Sequence, residues 1–347
     1  AAWLLRPHPV PPDLVATLRV RTAPGYSFAS GLRRRGDAYQ LRAHQMSDAT
    51  YGVFGRFDRR LHQIATPSGA SNVAATVEVI TAAGVLEGRR HMLNDWVRAS
   101  ALAVADFWRG FPVARVVVVL VPAGGRHDVS YGKLVAAGGA TVVVFVGEQT
   151  RAEDLRSDWV MVHELLHLGL PSFGGEGKWL AEGLATYYEP IIRARAGWLT
   201  PRQVWGELAS ELHHGRDAVE RLGVEHARDT MSRYWGGALI ALLADVRARS
   251  LSGGRVGLED GLRAVVSHGG NASKLWSMER VVAVVDQRLG APIMAELLAA
   301  HRYAGSPVDL EGLMRELGVR DSGAAVRLDD GAPLAAVRRA ILLAPAR

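Results

Sequence analysis

His163-Glu164-Leu165-Leu166-His167 reads HExxH. Two histidines four apart lie on one face of a helix, one turn from each other. That spacing lets both imidazoles reach a single Zn²⁺ at about 2.0–2.1 Å. Glu164 follows the first histidine, where it faces a water rather than the ion. Three fixed residues in five positions arise by chance in roughly one chain in fifty of this length and composition. The motif therefore needs a third ligand from elsewhere in the chain.

Working outward, the apolar run 141–146 before the motif predicts a buried strand. The helix carrying the histidines is expected to start near Ser157 or Asp158 as N-cap. Trp159, Val160, Val162 and Leu166 supply its apolar side, and Gly169 and Pro171 end it. A Gly-rich turn, Gly174-Gly175-Glu176-Gly177, leads to Trp179-Leu180-Ala181-Glu182-Gly183-Leu184-Ala185-Thr186 on the next helix. Two antiparallel helices joined this way can return one carboxylate over the two histidines. Glu182 is the best third ligand, because a carboxylate among apolar neighbours needs a metal or a charged partner. Glu176 and Glu189 are rival carboxylates in more loop-like or terminal positions.

The pattern further out fixes the organisation. Segments 14–21, 38–44 and 74–80 have strand-like content between Pro, Gly and Ser signals. In Tyr51-Gly52-Val53-Phe54-Gly55 the aromatics are expected to pack in a β core. Residues 92–108 have helical periodicity, 116–121 form an apolar strand, and 124–139 read as loop. Helices are predicted over 178–194, 201–213, 230–249, 258–267, 274–289, 292–301 and 309–317. The tail 324–343 reads as two short β segments around Asp329-Asp330-Gly331, a hairpin signal. The expectation is an α+β protein with three parts. These are an N-terminal β-rich domain over 1–88, a catalytic domain over 89–250, and a C-terminal helical subdomain with a short β tail over 251–347.

Composition limits the alternatives. Of 347 residues 48% are hydrophobic and 22% charged, as in a globular protein. The longest apolar runs, 115–122 and 140–147, have strand length and fall short of a bilayer span, so no integral membrane segment is expected. The net charge is +6. Lysine occurs only at Lys133, Lys178 and Lys274, and the arginines are dispersed apart from Arg33-Arg34-Arg35. Dispersed arginine with abundant Ala, Gly and Val points to GC-rich coding rather than a nucleic-acid partner. With no cysteine, thiolate metal sites are excluded, and a zinc ion must be held by His and carboxylate. The sequence begins Ala-Ala without a methionine. The expectation is an exported bacterial protein, periplasmic or secreted, with the cytoplasm as the alternative.

HELLH followed by WLAEGLATYY resembles the gluzincin metallopeptidases, whose aminopeptidase N branch carries HExxH and then a WLNEGFA-like helix. Tyr234-Trp235-Gly236-Gly237-Ala238-Leu239-Ile240 resembles the Tyr-x-Lys-Gly segment of that group, most closely the glycyl aminopeptidase family. The resemblance covers roughly 89–319. It implies a thermolysin-like catalytic domain with one catalytic Zn²⁺ on His163, His167 and Glu182. It implies hydrolysis of peptide bonds by a metal-activated water, with Glu164 as general base and Tyr234 as oxyanion stabiliser. The partner it implies is a peptide or protein substrate, and it fixes no oligomeric state. In relatives a residue at the position of Thr186 holds a zinc histidine. Two departures stand out. Relatives of the exopeptidase type carry upstream a glutamate that binds the substrate amino terminus, and here residues 131–140 contain no acidic residue. Gly236 stands where the related segment has lysine.

Other candidates rank lower. His213-His214 and His226 are alternative oxyanion donors, His127 and Asp128 lie in the loop before the second strand, and Gly138-Gly139 is a place for substrate backbone to pair with an edge strand. The competing class is a catalytically inactive, zinc-stabilised binding or scaffold protein. The presence of Glu164 speaks against it, since a structural site needs no general base.

Overall fold

The computed structural model describes residues 8–46, 50–65, 74–321 and 326–343. The Ala-Ala start and residues 324–325 of the expected tail lie outside them. The protein is α+β. It splits into two compact units, Ala1–Gly169 with Asn271–Lys274, and Leu170–Gly270 with Leu275–Arg347.

The first unit is built on strands. β1 (Val15–Leu18), β3 (Arg33–Arg35) and β4 (Ala38–Arg42) form one small sheet. β2 (Ser27–Ser30) pairs with β5 (Gly52–Gly55). Phe54 is not in a core: it lies 47% exposed, stacked on Phe28 at 4.5 Å between ring centroids. β6 (Phe57–Ile64) and β7 (Ala75–Ala82) lead to α1 (Arg90–Trp108), and β8 (Arg115–Ala123), β9 (Val129–Val135) and β10 (Ala140–Gly147) follow. These five strands make one sheet in the order β6-β7-β8-β10-β9. β7, β8 and β10 run parallel, and β6 and β9 are antiparallel edges. A parallel pair needs a crossover, and α1 supplies it between β7 and β8. The sheet thus takes strands from both sides of residue 88.

β8 is central and apolar because both of its faces are covered. Val117 and Val119 pack with Ala29 and Ile80 on one face. Val116, Val118 and Leu120 alternate to the other and are fully buried. Segment 124–139, which the sequence assigns to loop, contains β9. Edge position explains the weak signal: its residues are mostly half-buried or exposed, so no apolar run marks it. After β10 come α2 (Ala152–Ser157) and α3 (Val160–Leu166), the helix of the HExxH motif.

The second unit is helical. α4 (Lys178–Arg195), α5 (Pro201–Glu211), α6 (His213–Asp217), α7 (Thr230–Ser252), α8 (Leu258–Ser267), α9 (Met278–Leu289), α10 (Ile293–His301) and α11 (Leu310–Glu316) follow in order. The predicted helix 201–213 ends earlier and bends through α6. The predicted helix 274–289 starts later, because the Ser277 hydroxyl accepts the Arg280 N–H and caps α9. The tail differs more. β11 (Val319–Asp321) pairs with β12 (Val326–Leu328), and α12 (Ala335–Leu342) follows. Asp329-Asp330-Gly331 therefore leads into a helix rather than turning a hairpin. Ala335, Val337, Arg338 and Ile341 are its buried side, a spacing that fits a helix better than a strand.

α4 and α7 cross with their backbones in contact. A Cβ on Gly183 would lie 2.2 Å from Gly237 Cα, and one on Gly237 would lie 2.1 Å from the Trp179 carbonyl oxygen. Around the crossing the unit buries ionised groups. Asp245 accepts from the Tyr187 hydroxyl at 3.0 Å, Arg249 Nε at 3.0 Å and the Leu258 amide at 2.8 Å. Arg195 pairs with Glu259 at 2.7 Å. Burial and the Asp245 charge push the Tyr187 phenol well above its ordinary pKa. Such a group is costly to leave half-satisfied. Asp245→Ala removes the nearer of the two carboxylates beside the buried Arg249 guanidinium, leaving it to Glu259 at 3.5 Å, and is expected to lower stability by about 3–5 kcal/mol, read as a fall in the urea unfolding midpoint. Among the described residues no helix is long and apolar enough to cross a membrane.

Candidate metal centre

α3 starts where the Asp158 carboxylate accepts the Val160 amide at 3.0 Å and the Met161 amide at 3.1 Å. A buried carboxylate there satisfies the open first-turn amides and complements the helix dipole. The helix gives way to a tight turn at His167–Gly169. The His167 amide still bonds to the His163 carbonyl, so the one-turn spacing holds. His163 is buried and His167 half-buried. Their Nε2 atoms stand 3.2 Å apart.

That separation is a fit test for a metal. Two nitrogens at about 2.0–2.1 Å from one tetrahedral ion stand about 3.3 Å apart. His163, His167 and Glu182 each offer one ligand atom, and these atoms all lie within 4.8 Å of one another. They form the metal-ligating group among the described residues. Two imidazoles and a carboxylate, with no thiolate, are the donor set of a catalytic zinc that keeps a fourth position open.

Glu164 is half-buried. Its Oε2 accepts the Leu134 amide of β9 at 2.7 Å. Sequence alone gives no sign of this contact, which links positions thirty apart. Glu182 is half-buried among the buried Trp179, Leu180, Gly183 and Leu184. The first turn of its helix is clamped by a residue the sequence does not single out. Glu225 accepts the Gly177 amide and the Trp179 indole N–H, both at 2.9 Å. Arg302 in turn meets Glu225 at 3.3 Å, Glu279 at 3.0 Å and Glu176 at 2.8 Å.

Tyr234 is half-buried on α7, less than one turn before Gly237 and thus beside the crossing with α4. Gly236 is packed: a Cβ there would stand 3.3 Å from Val224 Cγ1 and 3.5 Å from Ala218 Cβ. A side chain starting there meets one tight contact, at Val224, and an ordinary one, at Ala218. Thr186 is buried, and its hydroxyl makes no hydrogen bond among the described residues.

The remaining candidates are not members of that group. Glu176 is exposed and paired to Arg302, and Glu189 is buried against Arg193 at 3.2 Å. His213 and His214 are exposed, with ring centroids 3.9 Å apart. His226 is exposed, with Nδ1 at 3.0 Å from the Leu222 carbonyl oxygen. His127 is exposed, and Asp128 is held by Arg126 at 2.6 Å. That ion pair, through its hydrogen bond first, keeps the Asp128 carboxyl below its ordinary pKa. Gly138 and Gly139 lie in the turn from β9 to β10, not on a free edge. A Cβ on Gly139 would lie 1.8 Å from the Gly31 carbonyl oxygen.

The chain shares its fold with solved structures of an aminopeptidase N family protein and of M1 zinc metallopeptidases. An aminopeptidase N family protein from Idiomarina loihiensis matches with a TM-score of 0.66 at 14% identity, over 90% of this chain and 61% of that one. An M1 zinc metallopeptidase from Deinococcus radiodurans matches with a TM-score of 0.51 at 16% identity, over 85% of this chain and 64% of that one. A glutamate-to-alanine variant of an M1 zinc metallopeptidase from Deinococcus radiodurans, bound to a Tyr-Ser-Ala substrate, gives 0.50 at 17% identity, over 85% and 63%. The chain thus spans less than two thirds of the length of these structures, and at this identity the likeness is one of fold. No protein-family model and no curated protein matches it.

Proposed function

We propose that the chain is a zinc-dependent peptidase, with one Zn²⁺ held by His163, His167 and Glu182. The observation that carries this is the convergence of those three ligand atoms within 4.8 Å, with Glu164 on the same helix turn as the histidines. The fold adds support, since one solved structure that shares it holds a Tyr-Ser-Ala substrate. When bound, zinc supplies a Lewis acid for a water and for the scissile carbonyl oxygen.

The chain's own residues do the rest. Glu164 takes the water proton as the oxygen adds to the carbonyl carbon. It delivers that proton to the amine nitrogen as the C–N bond breaks. The Leu134 amide keeps the Glu164 carboxylate aimed. Tyr234 donates its phenolic hydrogen bond to the developing oxyanion, where a donor is worth most. Thr186, one turn beyond Glu182, is a candidate to steady a zinc histidine. With no carboxylate in 131–140, the function is drawn at peptide-bond hydrolysis and not narrowed to aminopeptidase.

Tyr234→Phe tests the oxyanion role. It removes one hydroxyl and keeps the ring packing, so kcat should fall by about 100–1,000-fold with zinc content unchanged. An unaltered kcat removes Tyr234 from the mechanism. For the function as a whole, zinc content and hydrolysis of a broad peptide library are measured together. Stoichiometric zinc with no cleavage of any peptide would sink it.

A further inference from the structure

We propose that Gly132 and the backbone amide of Leu134 are positioning residues for Glu164, making β9 a mould for the base. β9 is the edge strand of its sheet. Backbone groups on an edge strand alternate between the neighbouring strand and the open side. In register, Gly132 lies opposite Val144 and Leu134 opposite Val142 on β10. The Leu134 amide is spent on Glu164 Oε2 at 2.7 Å. A Cβ on Gly132 would stand 2.5 Å from Val160 Cγ1, 2.7 Å from Glu164 Cγ and 3.2 Å from Glu164 Oε1.

The two contacts divide the work. The amide of Leu134 fixes one carboxylate oxygen with a charge-assisted hydrogen bond, the stronger kind. The absent side chain of Gly132 leaves room for the Glu164 methylene and for its second oxygen beside the strand. Any residue with a Cβ at 132 overlaps Glu164 at its Cγ, near the middle of the side chain, so the carboxylate must swing away. The effect is on aim, which chemistry feels steeply: a displacement of about 1 Å can cost about 100-fold in rate.

The test has two arms, and only the kinetic arm rests on the peptidase function. In zinc-loaded protein, hydrogen exchange at the Leu134 amide should be slow. It should quicken by about tenfold or more in Glu164→Ala and in Gly132→Ala. In the kinetic arm, Gly132→Ala should lower kcat by about 10–100-fold with KM changed by less than about twofold and zinc content unchanged. Val160→Ala added to Gly132→Ala relieves the Val160 overlap but not the Glu164 overlap, so it should not restore kcat. Restoration by Val160→Ala, an unaltered kcat in Gly132→Ala, or unchanged Leu134 exchange in Glu164→Ala each overturns the proposal. If the wild type cleaves no peptide, the function fails separately, and the exchange arm still decides whether Gly132 and Leu134 hold Glu164.

Discussion

Glu164→Gln is expected to reduce peptide hydrolysis by roughly 1,000-fold or more while leaving zinc binding intact. The amide occupies the same volume as the carboxylate, so α3 and its packing stay. What is lost is the ability to accept the water proton, and general acid–base groups contribute about 100–10,000-fold. On the proposed mechanism the side chain fails twice, as base toward water and as acid toward the leaving amine. The substitution also weakens the contact with Leu134, since an amide oxygen is a poorer acceptor than a carboxylate. The measurement is kcat on a peptide that the wild type cleaves, beside metal content. Equal activity of both proteins would remove Glu164 from the chemistry and favour the zinc-stabilised scaffold.

Glu182→Ala should act one step earlier, on the metal. Loss of a residue that only supports a ligand costs about 10–100-fold in affinity. Loss of a ligand should exceed that, so zinc affinity is expected to fall by more than about 100-fold, with activity falling in parallel. Competition with a chelator reads the affinity, and circular dichroism checks that α4 persists. The helix should persist, because Glu182 is half-buried and its helix is anchored on either side by Trp179 and by the crossing at Gly183. Full zinc affinity in Glu182→Ala would rule out this ligand. A loss of affinity together with a loss of helix would point to folding instead, and Glu182→Gln separates the two by keeping volume and removing charge.

Much of this was legible in the residues because the signals are local. A carboxylate just before an apolar stretch gave the cap of α3, realised by Asp158. Continuous valine runs gave β8, buried on both faces, and β10, whose Val142, Val144 and Val146 face is buried while Phe145 on the other is exposed. Helical spacing gave α8 over Leu258–Ser267 to the residue. Pairings between distant segments were not legible. β9 escaped notice because an edge strand has no apolar run, and because its defining contact is made with a side chain on α3. Glu225 was equally silent, its side-chain hydrogen-bond partners lying more than forty residues away. The tail misled because Val, Ile and Leu suit either element. The partner of β12 lies before it, in β11, so the Asp-Asp-Gly signal had no second strand to turn toward.

The meeting of Gly183 with Gly237 has a further consequence. Most helix pairs are separated by a layer of side chains that can repack, and that layer lets the helices slide. Here backbone rests on backbone, so α4 and α7 behave as one rigid block with no soft filling. Glu182 precedes one contact glycine, and Tyr234 lies less than a turn from the other. The spacing of the Glu182 and Tyr234 Cα atoms is therefore a fixed gauge set by main-chain geometry, and only their side-chain rotamers can vary the reach between carboxylate and phenol. Any change in that reach has to come from the side chains, because the two helices cannot be moved apart without breaking the backbone contact.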